Sequence, residues 1–159
     1  MTFTDLNLEQ GEDGIFDITL DGNTKDLAVS YGMRVPLAIT FFTDRRARSD
    51  EVGNPEERRG WSGDLFSSVP GDSIGSGLWL YDQSRLTLGI IASLRLEAIS
   101  SCSWLLQEQL AKSIDADIKK DPEKRAVKLD AFVTDQQGGT TSHSFYLWSE
   151  TQSEVLARL

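Results

Sequence analysis

Apolar and polar residues first alternate between positions 14 and 20. Phe16, Ile18 and Leu20 fall on one side there, and Ile15, Asp17 and Thr19 on the other. A period of two is that of a half-buried strand, and Asp21, Gly22 and Asn23 supply the turn that closes it. Residues 34–42 are mostly apolar, with Pro36 near the start. Proline is tolerated in the first turn of a helix, so this run predicts a short buried helix over 35–42. A buried strand is the competing reading, because so short an apolar run does not decide by period. Over 43–76 no period holds, and Gly, Pro, Asp, Arg and Ser predict a loop longer than most connections. A short apolar run around Trp79 follows.

The longest periodic segment begins at Thr87, whose hydroxyl suits a helix cap. Ile91, Leu94, Ala98, Cys102, Leu105 and Leu106 follow mostly at steps of three and four, with Arg95, Ser101, Gln107 and Glu108 largely off that stripe. This predicts an amphipathic helix over 87–111. The period then returns to two. Ile114, Ala116 and Ile118 alternate with Asp115, Asp117 and Lys119, and Val127, Leu129, Ala131 and Val133 with Lys128, Asp130 and Phe132. Asp121-Pro122 marks one turn and Gly138-Gly139 a hairpin connection, leaving 142–148 as a third strand. The expected fold class is α+β, one domain over 1–159. A long amphipathic helix packs on a C-terminal antiparallel three-stranded meander, with an N-terminal strand, a short helix and a long Arg/Gly/Trp loop.

Charge narrows the function. The 159 residues hold 25 acids against 16 bases, a net charge of −9. An acid excess disfavours a general nucleic-acid binder, which needs a basic face, and disfavours anionic membranes for the same reason. No run of about 18 apolar residues is present, so no transmembrane helix is expected. Cys102 is the one cysteine, which removes a disulfide framework and a cysteine zinc site and fits folding in a reducing cytoplasm.

Catalytic motifs are sparse. No phosphate loop, dinucleotide fingerprint or HExxH is present. His143, the single histidine, sits in an alternating strand, where an inter-strand or surface role is the commoner one. Cys102 lies in the apolar stripe as a buried, inert thiol. Asp115 and Asp117 share a strand face that solvent accounts for better than a metal does. The expectation is a protein with no catalytic residues, cofactor or metal.

The unusual stretch runs from 41 to 80. It holds Phe42-Thr43-Asp44-Arg45-Arg46-Ala47, then Arg59-Gly60-Trp61-Ser62-Gly63-Asp64, then Ile74-Gly75-Ser76-Gly77-Leu78-Trp79. Arginine makes bidentate pairs with carboxylates and stacks on aromatic rings, while tryptophan and arginine are favoured interface anchors. Residues 44–64 carry six acids beside five arginines. Holding the loop and meeting a partner therefore weigh about equally here, and a phosphate role weighs less.

These three linked motifs resemble the baseplate protein family of Mu-like contractile-tailed phages and related prophages. That family carries Phe-Thr-Asp-Arg-Arg-Ala, Arg-Gly-Trp-Trp-Gly-Asp and Ile-Gly-Ser-Arg-Leu-Trp. Here the second Trp of the middle motif is Ser62, and the Arg of the third is Gly77. More distant wedge and sheath-initiating relatives have an α+β fold and carry Glu-Pro-Arg after their long helix. The corresponding stretch here reads Leu110-Ala111-Lys112-Ser113.

The resemblance implies a structural, non-enzymatic virion protein of the tail baseplate, assembled in the host cytoplasm. Its implied partners are other wedge proteins, the tail sheath protein and the central hub or tube, without nucleic acid or membrane. Candidate interface residues are Arg45, Arg46, Arg59, Trp61, Asp64, Ile74 and Trp79 in the loop. Phe145, Tyr146 and Trp148 join them on the last strand, whose free edge would pair with a sheath strand. A small tail-borne cell-wall hydrolase is the alternative, and an adaptor binding one host protein a third reading.

Overall fold

A computed structural model describes residues 4–11, 15–24, 26–66, 73–82, 84–124 and 126–149. The strand expected near residue 16 is the middle of a larger N-terminal β element. Strands β1 (Thr4–Leu6), β2 (Leu8–Gln10), β3 (Phe16–Ile18) and β4 (Val29–Tyr31) form two antiparallel ribbons, β1 with β4 and β2 with β3. A third, shorter ribbon is closed by the Leu20–Leu27 bridge. The expected turn is present: Asp21 Oδ1 accepts the backbone N–H groups of Asn23 and Thr24 at 2.9 and 2.7 Å. The expected start of the strand at Gly14 lies outside the described residues.

Helix α1 (Arg34–Phe42) falls where the apolar run predicts it, with Pro36 in its first turn. Val35, Leu37, Ala38 and Phe41 are buried, and four apolar side chains at these steps make one helical face. The short run around Trp79 is one 3₁₀ turn, Leu78–Tyr81.

The long helix is two helices. Thr87 caps α2 (Leu88–Ser101) by accepting the Ile90 N–H at 3.3 Å, but the helix stops there. Cys102 breaks the run, and α3 (Ser103–Gln107) follows. Ser100 and Ser101 return their hydroxyls to the carbonyls of Glu97 and Ala98 at 3.1 and 3.0 Å. Such local bonds compete with the helical ladder and bend it. Leu94, Ala98, Cys102 and Leu105 stay buried across the break, whereas Leu106, expected in the stripe, is exposed. By length and composition, residues 88–107 could cross a membrane, with mean hydropathy 1.2. Here they cover the sheet instead, Arg95 pairing with Asp115 and Glu97 with Arg45.

The meander forms as expected: β5 (Ser113–Asp121), β6 (Ala126–Thr134) and β7 (Thr140–Ser149), antiparallel in the order β5-β6-β7. Asp115 and Asp117 face cations, Arg95 and Lys119, as a solvated strand face does. The inner face of the sheet, with Ile118, Leu129 and Phe145, joins Leu37, Leu94 and Leu105 in a single buried cluster. Phe16 and Phe42 border that cluster and meet edge to face at 4.7 Å, which ties the N-terminal ribbons to the body.

Candidate protein-interaction surface

The irregular stretch is folded around one arginine. Arg45 makes two bonds of 2.9 Å to the carboxylate of Glu51 and donates its Nε–H to Glu97 on α2 at 3.0 Å. All three side chains are at least four-fifths buried. A forked guanidinium between two carboxylates is the strong form of this pair. The Arg45 hydrogen bond, more than any other cause, holds the Glu51 carboxyl down at about 2. Glu97 also accepts the Gly77 N–H at 2.6 Å.

This centre draws the three motifs together. Arg45 donates its backbone N–H to Ser76, and its carbonyl accepts the Trp79 indole N–H, both at 3.0 Å. Arg59 lies over the Trp79 ring at 4.7 Å and bridges Asp44 at 3.2 Å and Asp82 at 3.7 Å. Asp64 accepts the Ile74 N–H at 3.1 Å. Burial first, and then the Asp44 charge, push the Asp82 carboxyl up to about 6 against the pull of Arg59.

The glycines of the motifs have steric reasons. Gly60 (φ 113°) passes so close to Arg46 that a Cβ would stand 2.8 Å from the arginine's own Cβ. A Cβ on Gly63 would overlap the Trp61 ring, and one on Gly75 (φ 106°) the Thr43 carbonyl. At Gly77, where the family motif has arginine, a Cβ would lie 2.5 Å from Nη2 of Arg45 and 2.7 Å from Glu97. In this chain the Arg45–Glu97 pair fills that space.

The loop candidates therefore divide. Arg45, Asp64 and Trp79 are engaged inside the loop and hold its shape. Arg59 also holds the loop, through Trp79, Asp44 and Asp82, while staying exposed, and Arg46, Trp61 and Ile74 reach solvent. Sequence reasoning missed the most exposed apolar residues here. Leu65 and Phe66, on the 3₁₀ turn Ser62–Phe66, are 78% and 86% exposed, beside Trp61 at 47%. It also missed Glu51, Glu97 and Asp82. Glu51 lies in the same charged stretch, but Glu97 is 52 positions away and no local pattern marks it.

The three candidates on the last strand belong to other surroundings. Phe145 is fully buried, with Phe41 at 5.6 Å and Phe42 at 6.0 Å, and this corrects its reading as an interface residue. It faces inward because its Leu129 partner on β6 does. Tyr146 is half-buried beneath Lys124, and a β-bulge between the positions paired with Tyr146 and Trp148 interrupts their alternation. The Trp148 side chain lies outside the described residues.

The edge of β7 is guarded at one point. Gln10 donates its side-chain amide to the Tyr146 carbonyl at 2.7 Å and accepts the Tyr146 N–H at 2.8 Å. One amide thus takes both backbone groups that a pairing strand would use there. On the opposite edge Arg95 donates to the Ala116 carbonyl at 2.6 Å.

Two other groups have settled surroundings. Burial pushes the Cys102 thiol up to about 12, so thiolate is scarce at neutral pH. Burial, and then the Arg34 charge, hold His143 below its ordinary value, and among the described residues its Nε2 has no hydrogen-bond partner. Among the described residues no cluster of His, Cys, Asp and Glu is arranged to ligate a metal.

Comparison with known proteins identifies the lineage. The chain is 27% identical over 122 residues to the Mu-like prophage FluMu protein gp46 of Haemophilus influenzae, across 77% of this chain and 82% of that protein. It also matches the family model of phage protein GP46 over residues 33–140, from just before α1 to the first residue of β7. That span contains the three motifs, the Arg45 network and both helices of the broken pair. The chain belongs to the phage protein GP46 family.

Proposed function

We propose that this protein is a structural, non-enzymatic component of a contractile phage tail baseplate. In this reading the Arg/Gly/Trp loop docks onto larger wedge proteins, and the outer edge of β7 pairs with a strand of the sheath. Membership of a phage protein family and the resemblance of the three motifs to Mu-like baseplate proteins support the setting. The observation that carries the docking role is the exposed trio Trp61, Leu65 and Phe66, which follows the stretch that the Arg45 ion pairs hold and is tied back to it through the Asp64–Ile74 bond. Large apolar side chains on a preorganised support are what an interface anchor needs, because little ordering entropy remains to be lost on binding. Among the described residues no strand pairs with the outer side of β7, which supports the second contact, since strand addition needs free N–H and C=O groups.

Quantitative mass spectrometry of purified tail-bearing particles tests this. A fixed low copy number, far below that of the sheath, is expected. Trp61→Ala should lower incorporation into the particle by about 2 kcal/mol of docking energy, some thirtyfold, while leaving the melting temperature unchanged. Absence from assembled particles would overturn the reading in favour of a cytoplasmic adaptor. Peptidoglycan turnover by the purified chain would overturn it in favour of a tail-borne hydrolase. For the strand contact, Ser144→Pro removes an N–H on the same outer side as that of Tyr146 without touching the β6 ladder. Sheath polymerisation should fail on such baseplates, and normal polymerisation would remove β7 from the mechanism.

A further inference from the structure

Helix α1 is apolar all round, yet one of its sides is open. From Val35 to Phe42 it carries no charged side chain, and its one polar residue, Thr40, is buried. A helix of that composition is ordinarily covered on every side. Val35, Leu37, Ala38 and Phe41 are buried, but Ile39 is 45% exposed. Pro36 and Ile39, three apart and so on one side of the helix, form a wall of a groove of about 460 Å³. Ile74 of the third motif, 39% exposed, and Trp104 of α3 line it too. The hydroxyls of Thr40 and Ser101, also in its lining, already have partners within the chain. Thr40 donates to the Pro36 carbonyl at 2.9 Å and accepts the Trp104 indole N–H at 3.3 Å, and Ser101 donates to the Ala98 carbonyl at 3.0 Å. At the rim Glu108 is exposed, and among the described residues no cation pairs with its carboxylate.

We propose that this groove receives an apolar segment of a partner protein, with a lysine or arginine beside the anchoring side chain. Hydrogen bonding selects the apolar part. The donors and acceptors of a polar metabolite would meet hydroxyls that are already engaged, and a desolvated polar group without a partner is costly. Aliphatic and aromatic walls gain instead from losing water. The volume is sufficient, since an apolar cavity of about 150 Å³ already takes a benzene ring. The partial exposure of Ile39 and Ile74 makes the groove open, so a side chain on an approaching protein surface can enter it. Charge selects the flank. Among the described residues that line the groove Glu108 alone is charged, so a cation beside the anchor finds a carboxylate there and an acid is repelled. This is a further contact besides those of the Trp61 trio and of β7, and it does not depend on the baseplate reading.

The test uses the full chain and two end-blocked peptides, Lys-Leu-Leu-Lys and Glu-Leu-Leu-Glu. In NMR of the wild-type protein the first should shift the methyl groups of Ile39 and Ile74 and the indole N–H of Trp104. It should bind about threefold more tightly than the second, the size of one exposed ion pair. Glu108→Gln should remove that preference. Ile39→Ser should weaken both peptides, and Leu88→Ser, at an exposed leucine at the start of α2, should change neither. Shifts centred elsewhere, or none, would overturn the proposal on the wild-type protein alone, with no variant having to fold. A preference that survives Glu108→Gln would mean that the net charge of −9 selects the cation rather than the groove, and would overturn the basic flank. Concentration-dependent shifts of the same three probes in the peptide-free protein, lost with Ile39→Ser, would make a second copy the occupant instead.

Discussion

Arg45 shows how one side chain turns a composition into a shape. Its fork is satisfied by Glu51, its Nε–H by Glu97, and its two backbone groups by Ser76 and Trp79. Removing the Glu51 charge leaves a largely buried guanidinium short of a partner. Glu51→Gln should therefore cost about 2–4 kcal/mol at pH 7 in urea unfolding. The pH dependence has a definite sign. The Glu51 carboxyl titrates at about 2 in the folded protein against 4.5 ordinarily, so its stabilisation is complete above 4.5 and is lost as pH falls from 4.5 to 2. The wild-type advantage over Glu51→Gln should shrink across that window.

Asp82 runs the other way. Its folded carboxyl, at about 6 against 3.8, binds the proton more tightly than the unfolded chain does. That contribution makes the fold more stable as pH drops from 6 towards 3.8, and Asp82→Asn should abolish it. A carboxyl-carbon titration with its midpoint near 6 checks the assignment. A midpoint near 4 would mean that Arg59 outweighs burial.

At the scale of elements, the regular ones were legible because each is set by a local period. The alternation that places β5 and β6, the turn at Asp21 and the Thr87 cap all depend on residues within a few positions of each other. The break in the long helix also had a local cause, in Ser100, Ser101, Cys102 and Ser103. The continuous apolar stripe from Leu94 to Leu105 concealed it, because burial survives a bend that the backbone ladder does not. The buried state of Phe145 was hidden by a different ambiguity. Alternation tells which residues share a face but not which face a sheet turns inward, and that is decided by α1 and α2 packing on it. In the loop the residue types were readable, but the division between holders and exposed residues rests on Glu97 and Asp82, which are distant in sequence.

The end of α3 offers a sharp test. Gln109 has φ 56°, and the N–H groups of Leu110 and Ala111 return to the Leu105 carbonyl at 2.9 and 3.1 Å. A left-handed residue closing a helix is ordinarily glycine, and a side chain there costs about 1 kcal/mol. Gln109→Gly should therefore raise stability by about 1 kcal/mol despite adding freedom to the unfolded chain. The Gln136 bond to the carbonyl of residue 109 involves backbone only at that end and survives the change. Thr87→Ala, at the opposite end of the helical pair, should lower stability by about 1 kcal/mol. Opposite signs from these two exposed sites in thermal melts would separate backbone strain from capping.

The whole molecule is a sheet and helix body with a lighter β element hung from it by few contacts. Phe145 sits at the centre of the aromatic group and Phe16 at its margin: Phe145 is fully buried, whereas Phe16 meets Phe42 at 4.7 Å and Phe145 at 6.4 Å from the ribbon side. The same substitution at these two rings should therefore have different reach. Phe145→Ala removes volume from the common core and should cost about 3–5 kcal/mol, felt by every element that packs there. Phe16→Ala cuts the principal apolar tie of the ribbons and leaves the body's own packing in place. Its effect should be local opening rather than global unfolding. Native-state hydrogen exchange distinguishes the two. With Phe16→Ala, protection should fall in the pairs β1–β4 and β2–β3 while β5 and β6 keep their wild-type rates. The Tyr146 N–H should also exchange faster, because Gln10 rides on β2 and loses its position over the β7 edge when β2 opens. Uniform acceleration across ribbons and meander alike would instead mean that the N-terminal element and the sheet unfold as one cooperative unit.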